Sequence, residues 1–485
     1  MRNLLNKLFV GSLIALSLNC PSYVKADEPF VFDYSKIKFP ALHEVKLPEA
    51  RKVTLNNGLR LYLIEDHSLP MIQAFVRVNI GSYLDPEDKL GLSDITADLL
   101  REGGSEKWTP DEFDELLEGI GANVETSGDI ILSSLSLDML SSQKELAVEI
   151  MEQLLRHPRF DQNRLDQSMV AYKSGIARRN DNPSRVCSRE FMKMIYGSDS
   201  PFERQVEYKH LNAIKRDDLI NFHKKYYKPE LTMMSFCGDF NVDEMVALIK
   251  KHFDSWEKGT DAVPAIPTVD YKYDQRVGYI ELKDAKQANI FLGHIGGRAY
   301  DEDDPHRIVM NNILGGGFGS RYFNQIRSKA GLCYSVYGDY GANFTYPGVF
   351  VNLTSTNCST AIKATRMIID EIKKMQTTDV TDEELRRGID PYLNKFVFFF
   401  DSKEKIVNRM LTYDLFGLPA DFLTKQKEAV EKTTAADVRA VANKYLKPDK
   451  MRIVIVGDKA LFDDTLESLN NGPVSEIDIT IPEDK

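Results

Sequence analysis

Two stretches of this 485-residue chain carry residue types that could do chemistry at a useful spacing. In residues 91–104, Leu92, Ile95 and Leu99 recur at helical intervals, while Asp94, Asp98 and Arg101 fall on the opposite face. Two carboxylates one turn apart could hold a hard cation such as Mg²⁺ or Ca²⁺ weakly. The plainer expectation is a solvated helix face, with Asp98 paired to Arg101 three residues on. In residues 312–336, a glycine-rich turn of Gly315, Gly316 and Gly317 is followed by Arg327 and Tyr334, seven residues apart. A guanidinium fork and a phenolic hydroxyl can hydrogen-bond a carbonyl oxygen and stabilise negative charge developing there. Taken singly, the glycines could simply end a helix, Arg327 be a surface charge and Tyr334 a strand residue with its hydroxyl in water. The turn is no phosphate loop, because the Gly-x-Gly-x-x-Gly spacing is absent. The eight histidines are scattered, and no pair has metal-ligand spacing.

The elements that must position these residues come in two copies. Lys225-Tyr226-Tyr227-Lys228-Pro229 leads into an apolar run ending in Gly238-Asp239; Lys444-Tyr445-Leu446-Lys447-Pro448 leads into another ending in Gly457-Asp458. From Lys225 to Lys444, from Pro229 to Pro448 and from Asp239 to Asp458 the separation is the same, a run in register that signals an internal repeat. Amphipathic helices over 217–225 and 436–444 precede the two copies. Near the start, Asn57-Gly58 between alternating apolar residues specifies a hairpin. Alternating strands are expected over 71–80 and again over 277–282 and 288–295, with helices over 143–155 and 360–375. The pattern predicts an α+β fold of two homologous halves, each an antiparallel sheet with helices packed mainly on one face. The first half spans 27–255, a linker rich in Pro, Gly, Thr and Asp spans 256–275, and the second half spans 276–465. Residues 466–485 are expected to be an acidic tail.

The residues around both stretches resemble the pitrilysin/insulinase family of zinc peptidases, which includes mitochondrial processing peptidase. That family carries His-x-x-Glu-His after Gly-Leu and one further residue; two histidines hold zinc and the glutamate between them is the general base. Aligned on this chain, the histidines fall on Asp94 and Asp98 and the glutamate on Ala97. Alanine cannot take a proton from water, so the resemblance implies a lost catalytic base. The family's third ligand, a glutamate upstream of Asp-x-Pro, would fall near residues 173–176, ahead of Asp181-Asn182-Pro183, where no carboxylate stands. The second-half signature is intact from Arg321 to Val336, and the resemblance assigns Arg327 and Tyr334, with the turn of Gly315, Gly316 and Gly317, to binding the substrate backbone. Family members of this length pair into a two-subunit shell in which one chain can lack the zinc motif. The implied protein is therefore a non-catalytic, peptide-binding subunit. It would hold no metal or cofactor of its own and form a heterodimer with a zinc-bearing companion acting on unstructured peptides. The alternatives are a stand-alone peptide-binding or structural protein, or an active metalloendopeptidase.

Composition and the N-terminus bound the rest. A net charge of −11 argues against a nucleic-acid partner, whose phosphates would repel this surface. Arg2 and Lys7, an apolar run over 8–18 and Val24-Lys25-Ala26 read as a signal peptide over 1–26, too short in its apolar part to be a comfortable membrane span. The expectation is export, to the periplasm of a Gram-negative bacterium. Cys187, Cys237, Cys333 and Cys358 are widely spaced, as buried thiols rather than a disulfide framework would be.

Overall fold

Asn57-Gly58 makes the expected turn. It joins β1 (Arg51–Thr54) to β2 (Arg60–Glu65) as an antiparallel pair, with Thr54 opposite Arg60 and Gly58 at φ +90°. The structure, a computed structural model, describes residues 50–484; the leader expected over 1–26 lies outside the described residues. The first half continues through β3 (Met71–Val78), α1 (Leu92–Glu102), α2 (Pro110–Ile120), β4 (Asn123–Gly128), β5 (Ser133–Leu140), α3 (Lys144–Arg156) and α4 (Gln162–Ala177). It closes with α5 (Pro183–Tyr196), α6 (Tyr208–Ala213), α7 (Arg216–Tyr226), β6 (Thr232–Gly238) and α8 (Val242–Phe253). Residues 256–275 contain neither helix nor strand.

The second half runs β7 (Arg276–Glu281), β8 (Gln287–Ile295), the short β9 (Gly297–Arg298), α9 (Asp304–Leu314), β10 (Cys333–Tyr340), β11 (Ala342–Asn343) and β12 (Val349–Asn357). Five helices and two strands follow: α10 (Ala361–Thr377), α11 (Asp382–Phe396), α12 (Lys403–Phe416), α13 (Phe422–Glu431), α14 (Ala435–Tyr445), β13 (Arg452–Gly457) and β14 (Val474–Glu476). The two six-stranded sheets share the order of five strands, β2-β6-β3-β5-β4 and β7-β13-β8-β12-β10, and are mostly antiparallel; the sixth differs, β1 pairing antiparallel with β2 and the C-terminal β14 parallel with β7. The repeat holds at its anchors: α7 and α14 have the same length, and each ends on the tyrosine after the repeated lysine, Tyr226 and Tyr445.

Each sheet buries one face against helices of its own half. In the first, Ile72, Ala74, Val76 and Val78 of the alternating strand β3 meet Leu99, Met151 and Leu154. The other face is covered by a helix from the opposite half. Ile406, Val407 and Leu411 of α12 pack on Tyr62, Ile64, Met233 and Cys237 of the first sheet. Val186, Cys187, Phe191 and Ile195 of α5 pack on Ile280, Phe291, Val454 and Val456 of the second. The exchanged helices are counterparts in the repeat and equal in length. This exchange explains why β6 and β13 show no alternating polar face: a strand covered on both sides is buried along its length, as every residue of both is, and the Ser235 hydroxyl of β6 donates to Asn408 of α12 at 2.6 Å. The close of β6 admits only glycine, since a Cβ on Gly238, at φ +143°, would stand 2.1 Å from the Met71 carbonyl oxygen.

The acidic tail expected over 466–485 is, in its described residues 466–484, not separate. Leu466 and Leu469 are buried, β14 pairs parallel with β7, and the Ile477 amide donates to the Tyr279 carbonyl at 2.7 Å. The acids there alternate with Val474, Ile477 and Ile479, whose apolar side chains pack on the second half and fill the sheet edge beyond β7. Cys187, Cys237, Cys333 and Cys358 are all free, the first two and the last buried. No described helix is long and apolar enough to cross a membrane.

Candidate functional site

Helix α1 is launched by a carboxylate that the sequence spacing did not reveal. The buried Asp85 side chain accepts the amides of Gly91 and Ser93, both at 2.8 Å, and satisfies two donors that the first helical turn leaves free. Burial, aided by the nearby charge of Asp94, pushes the Asp85 carboxyl up to about 7, against the pull of its two amide bonds and Arg204.

On the helix itself, Ala97 is fully buried and Asp94 and Asp98 are half-buried, so the face is not the solvated one expected. Asp98 is not paired to Arg101 either. Tyr172 of α4 donates its hydroxyl to Asp98 Oδ2 at 2.8 Å, while Arg101 reaches back to Asp114 of α2 at 2.6 Å and to the Val124 carbonyl. The reason is packing: β4 and α4 cover the polar face of α1, leaving Asp98 beside a phenol rather than in water. Gly128 of β4 lies so close that a Cβ there would sit 2.7 Å from Asp94 Oδ1. That oxygen is buried and has no hydrogen-bond partner among the described residues. Burial, then the charges of Asp98 and Asp129, push the Asp94 carboxyl up to about 6; burial also raises Asp98, opposed by the Tyr172 bond.

Zinc does not fit these residues. It takes neutral imidazole or thiolate ligands, commonly with one carboxylate. Here one carboxylate is held by a phenol, the other is hemmed in by β4, and residues 173–176 of α4 supply no third ligand. Among the described residues no three His, Cys, Asp or Glu side chains are grouped to hold a metal ion. Tyr172, one residue before 173–176 on α4, is the polar group that meets Asp98, and no local spacing pointed to it.

The second stretch is brought together as a unit. Gly315 ends α9, and its Cβ would meet the Gly338 amide nitrogen of β10 at 2.6 Å, so the helix end and the strand touch backbone to backbone. Gly316 is crowded by the Asn312 backbone, whereas Gly317 faces open space. Arg321 clamps Glu384 of α11 with two bonds of 2.7 and 3.1 Å, and the buried Tyr322 hydroxyl donates to Asn352 at 2.6 Å. From this anchored base a π-helical turn, Phe323–Lys329, presents Arg327. Tyr334 is the extra residue of a bulge in β10, where Cys333 pairs with Thr356 and Ser335 with Ser355, leaving Tyr334 without a partner. The result is a stacked ladder: the Arg327 guanidinium lies 4.6 Å from the Phe323 ring and 4.9 Å from the Tyr334 ring, and Phe318 packs edge-on against Phe323. Tyr334 is 82% exposed and Phe318 79%, unusual for aromatic rings and open to an extended chain laid along the edge strand β10. Phe318 and Phe323 were not singled out from sequence, although both stand within the glycine-rich signature. No hydrogen bond or ion pair among the described residues joins this ladder to Asp94 or Asp98.

Comparison with known proteins places both halves. Residues 60–205 match the model described as insulinase (peptidase family M16), and residues 213–392 match the peptidase M16 inactive domain. A protein named non-peptidase homolog YmxG from Helicobacter pylori is 24% identical over 407 residues, covering 81% of this chain and 91% of that protein. An uncharacterized zinc protease YmxG of Bacillus subtilis is 22% identical, covering 74% of this chain and 86% of that one. Among solved structures, a peptidase M16 inactive domain from Pseudomonas fluorescens superposes with a TM-score of 0.78 at 24% identity, covering 86% of this chain and all of that one. The periplasmic protease PqqL from Escherichia coli does so with a TM-score of 0.74 at 12% identity, covering 93% of this chain and 50% of its own.

Proposed function

Since the chain belongs to the M16 (insulinase) peptidase family, we propose that it is a non-catalytic, peptide-binding member that works beside a zinc-bearing companion. The observation that carries this reading is the buried Ala97 at the position of the general base, flanked by Asp94 and Asp98 in place of imidazoles. A methyl group sealed under β4 cannot activate water, whatever metal is offered. What the chain does expose is the Arg327–Tyr334 ladder on edge strand β10, two donors suited to the carbonyl oxygens of an extended peptide. The same donors could stabilise charge at a bond being cut in the companion's site. Export through the segment 1–26 is part of the proposal.

The test is to purify the chain from its native cell with whatever accompanies it. The expected companion is a relative carrying an intact His-x-x-Glu-His. In that complex, Tyr334→Phe and Arg327→Ala should leave pairing intact and lower kcat/KM for peptide cleavage by about tenfold or more, as loss of an oxyanion-type donor does. If both variants cleave at the parental rate, the ladder has no part in catalysis. If no zinc-bearing companion is recovered, the pairing itself is wrong.

A further inference from the structure

Where α12 crosses the first sheet, residues of both halves line an open-sided cavity of about 360 Å³ that shares no residue with the β10 ladder and is independent of the peptide-binding reading. Arg77 of β3, Arg409 and Thr412 of α12, Phe344, and Phe422 and Leu423 of α13 form much of its wall. Several arginines elsewhere in the fold are met by acceptors on two or more sides: Arg307 has Asp301 and Asp304, Arg321 has Glu384, Arg452 has Asp274, and the half-buried Arg204 and Arg298 each donate to backbone carbonyls. The two in this cavity have no carboxylate partner among the described residues.

Arg77 donates from Nη1 to Thr412 Oγ1 at 2.6 Å and lies 5.2 Å from the Phe75 ring, in no ion pair among the described residues. Burial alone draws its pKa downward, with no neighbouring carboxylate to oppose it. Arg409 lies 5.0 and 5.6 Å from the Phe399 and Phe400 rings, likewise in no ion pair among the described residues, and its Nε is buried with no acceptor. The other charges at the cavity are already engaged. Lys405 pairs with Asp401 at 2.7 Å, and Asp304 accepts from Arg307 and from Gln426. Two half-buried guanidinium groups without counter-charge are costly unless something anionic completes them. Their planar forks match a carboxylate, and Phe344, Phe422 and Leu423 supply an apolar part of the wall beside the polar Asn408 and Gln426, with Phe344 stacked on Phe416 at 4.6 Å.

We propose that this cavity binds a small organic carboxylate, its head held by Arg77 and Arg409 and its aromatic or branched apolar body lying against Phe344, Phe422 and Leu423.

The experiment is calorimetric titration of the full chain with phenylacetate, with its uncharged counterpart phenylacetamide and with inorganic phosphate. Saturable binding of phenylacetate is expected, with phenylacetamide and phosphate each weaker by about tenfold or more, one lacking the charge and the other the apolar body. Arg77→Gln and Arg409→Gln should each weaken phenylacetate by about tenfold, with melting temperature confirming that the variants fold. No saturable binding of phenylacetate overturns the proposal, and so does equal affinity for acid and amide, or phosphate binding in preference to both. The acid–amide contrast is measured on the parental chain, so it decides the matter even if a variant does not fold.

Discussion

Replacing Asp94 by Asn tests whether the polar face of α1 is a relic of packing or a working site. The carboxyl is held near 6 in the folded chain against an ordinary 3.8, by burial first and by Asp98 and Asp129 second. A raised carboxyl pKa is a stability cost that appears when the group ionises. It is absent below about pH 4, where folded and unfolded chains are both protonated, grows between 4 and 6, and is complete above 6. The full rise corresponds to about 3 kcal/mol at ~1.4 kcal/mol per tenfold in proton affinity. Because Asp94 is half-buried rather than sealed, and the new amide brings its own needs, about 1–2 kcal/mol is the expectation. Asp94→Asn should therefore melt higher than the parent at pH 8 and at the same temperature at pH 4. Thermal unfolding in the two buffers, each with and without Mn²⁺ or Ca²⁺, is the assay. A variant that melts lower at pH 8, or a divalent ion that stabilises the parent and not the variant, would refute the reasoning and make the carboxylates ligands.

Two further substitutions probe the scaffold. Gly315→Ala drives a methyl into the Gly338 backbone and should destabilise the chain by roughly 1–3 kcal/mol, while Gly317→Ala, facing open space, should leave melting unchanged; the reverse order, read by calorimetry, would mean the turn is not positioned as described. Leu411→Ala removes a fully buried contact of α12 on the first sheet and should cost about 2–5 kcal/mol in denaturant unfolding. A loss below about 1 kcal/mol would show that the exchanged helix is not part of the core.

The repeat made most of the fold legible. Lys225 and Lys444 stand at matching ends of α7 and α14, and the constant spacing between the two copies carried over to sheets that share the order of five strands. The exchange of α5 and α12 was not legible, because helical periodicity shows that a face is buried and not which sheet buries it. The hint was that β6 and β13 show no alternating polar face, which a second cover explains. Asp94 and Asp98 could be read from local spacing, and Ala97 from the resemblance to the family's motif. Tyr172 and Asp85 could not: one reaches Asp98 from a distant helix, and the other acts from a turn outside α1 through bonds to backbone amides, which leave no side-chain pattern. The segment from 466 onward was misjudged because its acids were read as a solvated tail, whereas the apolar residues interspersed with them fasten it to the second half. The ladder was half visible: Arg327 and Tyr334 stand out by type, but the bulge that frees Tyr334 and the π-helical turn that aims Arg327 depend on the register of β10 against β12.

The central claim is that this chain has no peptidase chemistry of its own, and metal analysis of the purified chain, paired with a peptide-cleavage assay with and without chelator, tests it most directly. The account predicts no stoichiometric zinc after dialysis and no chelator-sensitive cleavage of an unstructured peptide, because Asp94, Ala97 and Asp98 replace two ligands and the base. One tightly held zinc per chain, with cleavage that a chelator abolishes and zinc restores, would contradict it.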